Sequence, residues 1–120
     1  MLFHGGCWPS ADSIFETTRP FSTSFCPQVA LRNAEWKGKA YDAGRLELMV
    51  VRVVRPTTRA YIYGREGSHG HEKEVVFAAG ARLTCVQRTQ VDDVQAFGMT
   101  SGGRPPQKMV PTYLLEVEIS

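Results

Sequence analysis

The chain reads as an α+β fold with a mainly antiparallel sheet system. One helical pattern falls early, about seven strand-like stretches surround and follow it, and Gly and Pro clusters cut those stretches short. The 120 residues suit one domain, spanning 1–120, with one core.

Leu2-Phe3-His4 is a short apolar strand that stops at Gly5-Gly6. The chain begins abruptly inside this strand, as a module cut from something larger would. Residues 7–20 carry Pro9, Ser10 and Pro20 and read as loop with room for one helical turn. Phe21-Ser22-Thr23-Ser24-Phe25 alternates and reads as a second strand. Pro27 follows in the position favoured for a first helical turn. Val29, Ala30, Asn33, Ala34 and Trp36 continue a helical pattern that stops near Lys37-Gly38, with Lys in the last turn and Gly beyond it.

Tyr41 to Gly44 is a turn. Leu46 to Val54 is the strongest strand, apolar on both faces and therefore central. Pro56 ends it. Tyr61-Ile62-Tyr63 is a short strand, followed by the Gly- and His-rich loop 64–71. Glu72 to Phe77 is the next strand, Ala78-Ala79-Gly80 a turn, and Ala81 to Val91 a long strand. Residues 92–107 are polar, with Gly102-Gly103 and Pro105-Pro106, and read as a mobile connection. Tyr113 to Ile119 closes the chain, with Tyr113, Leu115, Val117 and Ile119 inward and Glu116 and Glu118 outward.

Composition narrows the class. Hydrophobic residues at 42% and charged residues at 22% are ordinary for a globular domain. A net charge of +2 is too small for a nucleic-acid electrostatic footprint. No apolar run reaches membrane-spanning length, and the first residues lack the regions of a signal peptide. Cys7, Cys26 and Cys85 are odd in number and widely spaced, which favours reduced thiols over a disulfide framework. His69 and His71 form an HxH, but no further ligands stand at metal-binding spacing, so no metal is expected. The loop 64–70 lacks a following helix start and the Lys-Ser/Thr of a phosphate cradle.

Glu72-Lys73-Glu74 carries the most chemistry. Residues two apart on a strand share a face, so both carboxylates project side by side at a strand edge beside the Gly-rich loop. Neighbouring carboxylates can hold different pKa values and divide acid, base or electrostatic roles. The plainer reading is two solvated glutamates on an amphipathic strand.

Three short segments stand in a fixed order: His4-Gly5-Gly6 closing the first strand, Ser22-Thr23-Ser24 on the second, and Glu72-Lys73-Glu74 on the fifth. With the helix and the central strand between them, this order resembles the mono-ADP-ribosyltransferase toxin family over nearly the whole chain. The best segments are Phe21 to Ala30 and Tyr61 to Val86. The resemblance implies two packed, mainly antiparallel sheets with few helices. It implies NAD as substrate, split at its nicotinamide–ribose bond, with ADP-ribose passed to an acceptor. Glu74 matches the catalytic glutamate. Glu72 matches the residue that orients or deprotonates an incoming arginine guanidinium. Ser22, Thr23 and Ser24 match the segment shaping the NAD cleft, with Ser22 placed to orient the catalytic carboxylate. His4 and Gly5 match the first NAD-contacting motif, and loop 64–71 the segment that recognises the target.

Phe25 and Trp36 read as core, with Phe25 the better placed to stack on nicotinamide. One departure is plain: Ser-Thr-Ser and Glu-x-Glu members carry an arginine where His4 stands. Histidine there resembles the diphtheria-toxin and poly-ADP-ribose polymerase branch, which instead has a tyrosine on its second strand. Arg19 is the sequence's candidate for the missing charge.

The implied protein is an effector module of a larger bacterial toxin. It would be secreted or injected and act in the target-cell cytoplasm on a macromolecular acceptor, protein arginine first. A cognate immunity protein is a possible partner, and no membrane is expected as one. Transfer to RNA or DNA, and a catalytically inactive module with the same NAD fold, are the alternatives.

Overall fold

The computed structural model describes residues 1–63, 74–100 and 102–120. Strands β1 (Leu2–Gly5), β2 (Ile14–Glu16) and β3 (Phe21–Ser24) lead into helix α1 (Pro27–Glu35). A 3₁₀ turn (Trp36–Gly38) joins α1 to a short helix α2 (Lys39–Ala43). Strands β4 (Leu46–Val53), β5 (Ala60–Tyr63), β6 (Glu74–Phe77), β7 (Arg82–Phe97) and β8 (Gln107–Ile119) complete the order. The fold is mixed α+β, and its sheet is antiparallel except where β4 runs parallel to β8.

The strands form one eight-stranded sheet in the order β2-β7-β8-β4-β1-β3-β6-β5, which corrects the expectation of two separate sheets. β1 is the reason. It pairs with β4 over four residues and touches β3 through a single register pair, Phe3 with Ser24. Two wings therefore meet at a narrow seam. They share one core: Leu2, Met49, Val51, Leu83, Leu115, Val117 and Ile119 from one wing, with Phe21, Val75 and Phe77 from the other. A smaller core lies under the helices, where Ala34 and Ala40 meet Leu46, Ala96 and Val110. Burial on both faces explains why β4 reads as continuously apolar.

Helix α1 begins at Pro27, whose missing N–H would be unpaired at that position in any case. It buries the small residues Ala30 and Ala34, so its backbone comes very close to β1. A Cβ on Gly5 would fall 1.7 Å from the Ala30 carbonyl oxygen, so only glycine allows this approach.

Three stretches differ from the sequence expectation. Residues 14–16, read as loop, pair with β7 as an edge strand of three residues, too short to show a period. Residues 92–97, read as part of a connection that runs to Gln107, and residues 108–112, left unassigned before the final strand, continue the β7–β8 ladder as far as Phe97 with Gln107. The register shift between Val91 and Val94 breaks the alternation and disguises the continuation of a strand read as far as Val91; a second shift, between Cys85 and Gln87, lies inside the stretch already read as strand. The helix does not simply stop at Gly38: the chain turns there and starts α2. Among the described residues, no helix is long and apolar enough to cross a membrane.

Candidate active site

The sheet register brings Ser22, Ser24 and Glu74 to one face. β3 pairs with β6 so that Ser24 lies opposite Glu74 and Ser22 opposite Val76. Partners across a ladder share a face, and so do residues two apart, which leaves Ser22 diagonal to Glu74 within reach of a long side chain. The Ser22 hydroxyl donates a hydrogen bond to Glu74 Oε1. Glu74 is exposed, and Ser22 is half-buried beside it.

The rest of the Ser-Thr-Ser segment is structural. Thr23 points to the opposite face, where its buried hydroxyl donates to the Val75 carbonyl at 2.8 Å. This ties β3 to the residue next to Glu74. Ser24 Oγ accepts from the Cys26 N–H at 3.0 Å and turns the chain into α1. One hydroxyl therefore orients the carboxylate, one locks the two strands, and one starts the helix.

His4 reaches the same segment from behind. Its Nδ1–H donates to the Ser22 carbonyl at 2.5 Å, and its ring stacks on Phe21 with centroids 4.2 Å apart. A carbonyl only accepts, so the proton of the neutral ring is on Nδ1. Burial, with a smaller push from Lys39, holds the His4 pKa below the ordinary 6.5 against the opposing bond to Ser22. His4 is therefore a neutral brace: it fixes the backbone of the residue whose hydroxyl orients Glu74.

These residues border an open cleft of about 750 Å³. Its floor is the end of β1 with Ser22, Thr23, Ser24 and Glu74, and the helical layer supplies Arg32, Asn33, Trp36, Lys37 and Lys39. The volume suits a ligand of nucleotide size. Gly5 lines it, but its glycine is required by the α1 backbone.

Of the residues expected at the site, His4, Gly5, Ser22, Thr23, Ser24 and Glu74 all border the cleft. Phe25 is 47% exposed and is not among the lining residues. Trp36 is 62% exposed and does line it, so neither aromatic is the core residue that the sequence suggests. Phe25 follows β3 and begins the turn to α1, where it is exposed. Trp36 follows α1 and precedes a left-handed turn. Arg19 is exposed and lies outside the lining set. Glu72 and the loop 64–71, with His69 and His71, lie outside the described residues. Among the described residues, no group of three or more His, Cys, Asp or Glu side chains is arranged to hold a metal ion.

Two features were missed in the sequence. Lys37 reads as the end of a helix and Lys39 carries no signal of its own, yet the turn sets both on the cleft. Glu47 is the other. It is 2% exposed in β4, where Oε1 accepts from Trp8 N at 3.0 Å and from Arg45 Nε at 2.9 Å, while Arg88 Nη2 stands 3.8 Å from Oε2. Arg88 also lies over the Tyr113 ring, 4.0 Å from its centroid. Glu47 thereby pins the segment after β1 onto the central strand. Its signal in the sequence is a carboxylate near the start of a run that is otherwise apolar as far as Arg52.

No protein-family model, curated protein or solved structure matches the chain significantly.

Proposed function

We propose that this chain is an NAD-dependent mono-ADP-ribosyltransferase that transfers ADP-ribose to a protein arginine, with release of nicotinamide. The observation that carries the reading is the Ser22 hydroxyl bonded to the Glu74 carboxylate at the border of a nucleotide-sized cleft. The order of His4-Gly5, Ser22-Thr23-Ser24 and Glu72-Lys73-Glu74 in the sequence adds the resemblance already described.

Breaking the nicotinamide–ribose bond leaves its electron pair on the departing ring nitrogen and positive charge on the sugar. A carboxylate held in place beside that sugar stabilises the charge as it forms. Glu74 has the chemistry for this role. Ser22 restricts its rotamers, and His4 and Thr23 hold the backbone and the strand pairing behind it. The acceptor nitrogen then bonds to the same ribose carbon and loses a proton. Glu72, two residues along, is assigned to receive it from its place in the sequence. The resemblance further places the chain in a bacterial effector that acts inside a target cell.

The test offers NAD with agmatine, a small guanidinium acceptor, and with target-cell lysate, and follows ADP-ribose by mass spectrometry. Modification of guanidinium groups is expected. Glu72→Ala should lose transfer while retaining NAD hydrolysis. Adducts on RNA or DNA alone would replace the acceptor class, and intact NAD with no adduct of any kind would remove the reading.

A further inference from the structure

The chain between α1 and α2 makes an unusual turn. Lys37 adopts φ 53, ψ 37, and Gly38 follows at φ 74. Glycine takes the left-handed region freely, but a lysine there is strained. Nothing about the turn requires a lysine, and glycine or asparagine would make it with less strain. Strained residues that persist cluster at functional sites. Lys37 is a lining residue of the cleft that Glu74 borders.

Lys39 lines the same cleft two residues later, at the start of α2, and its Nζ donates to the Asn33 carbonyl at 3.2 Å. That bond leaves two of its three ammonium protons for a ligand. Lys39 is near enough to His4 to help push down the ring's pKa, so its charge acts close to the end of β1. His4, neutral and committed to the Ser22 carbonyl, adds no positive charge there. Arg32, Lys37 and Lys39 stand on the cleft against the two carboxylates of Glu35 and Glu74, so its cationic charge comes from the helical layer.

A dinucleotide with its reactive ribose at Glu74 carries a diphosphate that must be neutralised. We infer that Lys37 and Lys39 form the anion subsite that holds this diphosphate. The inference rests on the proposed reading of NAD as substrate. Lysine acts there as a point charge, flexible enough to follow the phosphates, whereas an arginine would impose a fork.

The experiment measures binding of NAD and ADP-ribose, and cleavage of NAD and nicotinamide riboside, by wild type and by Lys37→Gln/Lys39→Gln. The riboside has the same scissile bond and no diphosphate. The double variant should bind NAD and ADP-ribose about tenfold more weakly or worse, with a shallower salt dependence, and should cleave the riboside at the wild-type rate. Lys37→Gly is the second variant: it should raise the melting temperature by relieving the left-handed lysine while still weakening ADP-ribose binding. Wild-type NAD binding with the double variant within about twofold of it would overturn the anion subsite and leave the proposed function standing. Equal losses for NAD and riboside cleavage would also overturn it, because the effect would then lie at the reacting end. A wild-type protein that binds neither NAD nor ADP-ribose would overturn the proposed function, and the subsite with it.

Discussion

Ser22→Ala removes one hydroxyl and tests whether the orientation of Glu74 matters to the chemistry. The Ser22 hydroxyl donates to Glu74 Oε1. A hydrogen bond to a charged acceptor contributes about 1.5–3 kcal/mol when its partners are shielded. Glu74 is exposed, so water replaces part of the lost bond and the effect falls at the lower end, about 1.5–2 kcal/mol. If that energy is realised in the transition state, kcat falls about ten- to thirtyfold. KM should change little, because in the proposed reaction the carboxylate acts on charge that develops during bond cleavage. The assay is nicotinamide release at saturating NAD, with melting temperature followed in parallel. Thr23→Val is the matched comparison. Its hydroxyl bonds the Val75 carbonyl on the buried face, so its loss should lower stability by about 1 kcal/mol and leave kcat nearly intact. Wild-type kcat in Ser22→Ala, or a loss confined to KM, would refute the role assigned to the bond.

Further outcomes follow from the packing behind the site. Gly5→Ala should destabilise by about 2–3 kcal/mol or more and shift α1, because its Cβ would meet the Ala30 carbonyl oxygen at 1.7 Å; thermal unfolding checks this. Glu47→Ala should lower stability by about 3 kcal/mol, since Trp8 N and Arg45 lose their shared acceptor in a buried setting; denaturant titration reads the change. His4 makes stability depend on pH. Its folded pKa lies below the ordinary 6.5, so its contribution is fully present above 6.5 and is lost as pH falls from there through the folded value. Melting temperature should therefore fall on acidification below 6.5, and His4→Gln should flatten that part of the profile; an unchanged slope would show that His4 is not its source.

Much of this fold is legible in the chain because burial and periodicity agree. β4 and the second half of β8, from Tyr113 to Ile119, read correctly, since alternate residues there face the larger core and β4 is covered on both sides. Other parts follow from forces that a local pattern does not carry. β7 was legible only as far as Val91: past the register shift between Val91 and Val94 it is mostly exposed, so no apolar period marks its continuation to Phe97. The joining of both wings into one sheet depends on the single pair Phe3–Ser24, which is a matter of tertiary geometry. At the site, Ser22 and Glu74 were legible through their order along the chain, and the register then sets them on one face. Trp36, Lys37 and Lys39 were not. Their exposure to the cleft depends on a left-handed lysine, where a helix end followed by glycine was the ordinary reading. Glu47 was hidden for a similar reason: its partners Trp8, Arg45 and Arg88 come from three separate segments.

The reaction itself is tested most directly by nicotinamide release from NAD, comparing wild type with Glu74→Gln. Glutamine keeps the size of the side chain and a hydrogen-bonding oxygen for Ser22 but removes the negative charge. Glu74 is exposed, so the variant should melt within a few degrees of wild type. Wild type should release nicotinamide, and Glu74→Gln should be slower by at least about a hundredfold. No release by wild type, or equal release by both proteins, would contradict the assignment of Glu74 as the carboxylate that breaks NAD.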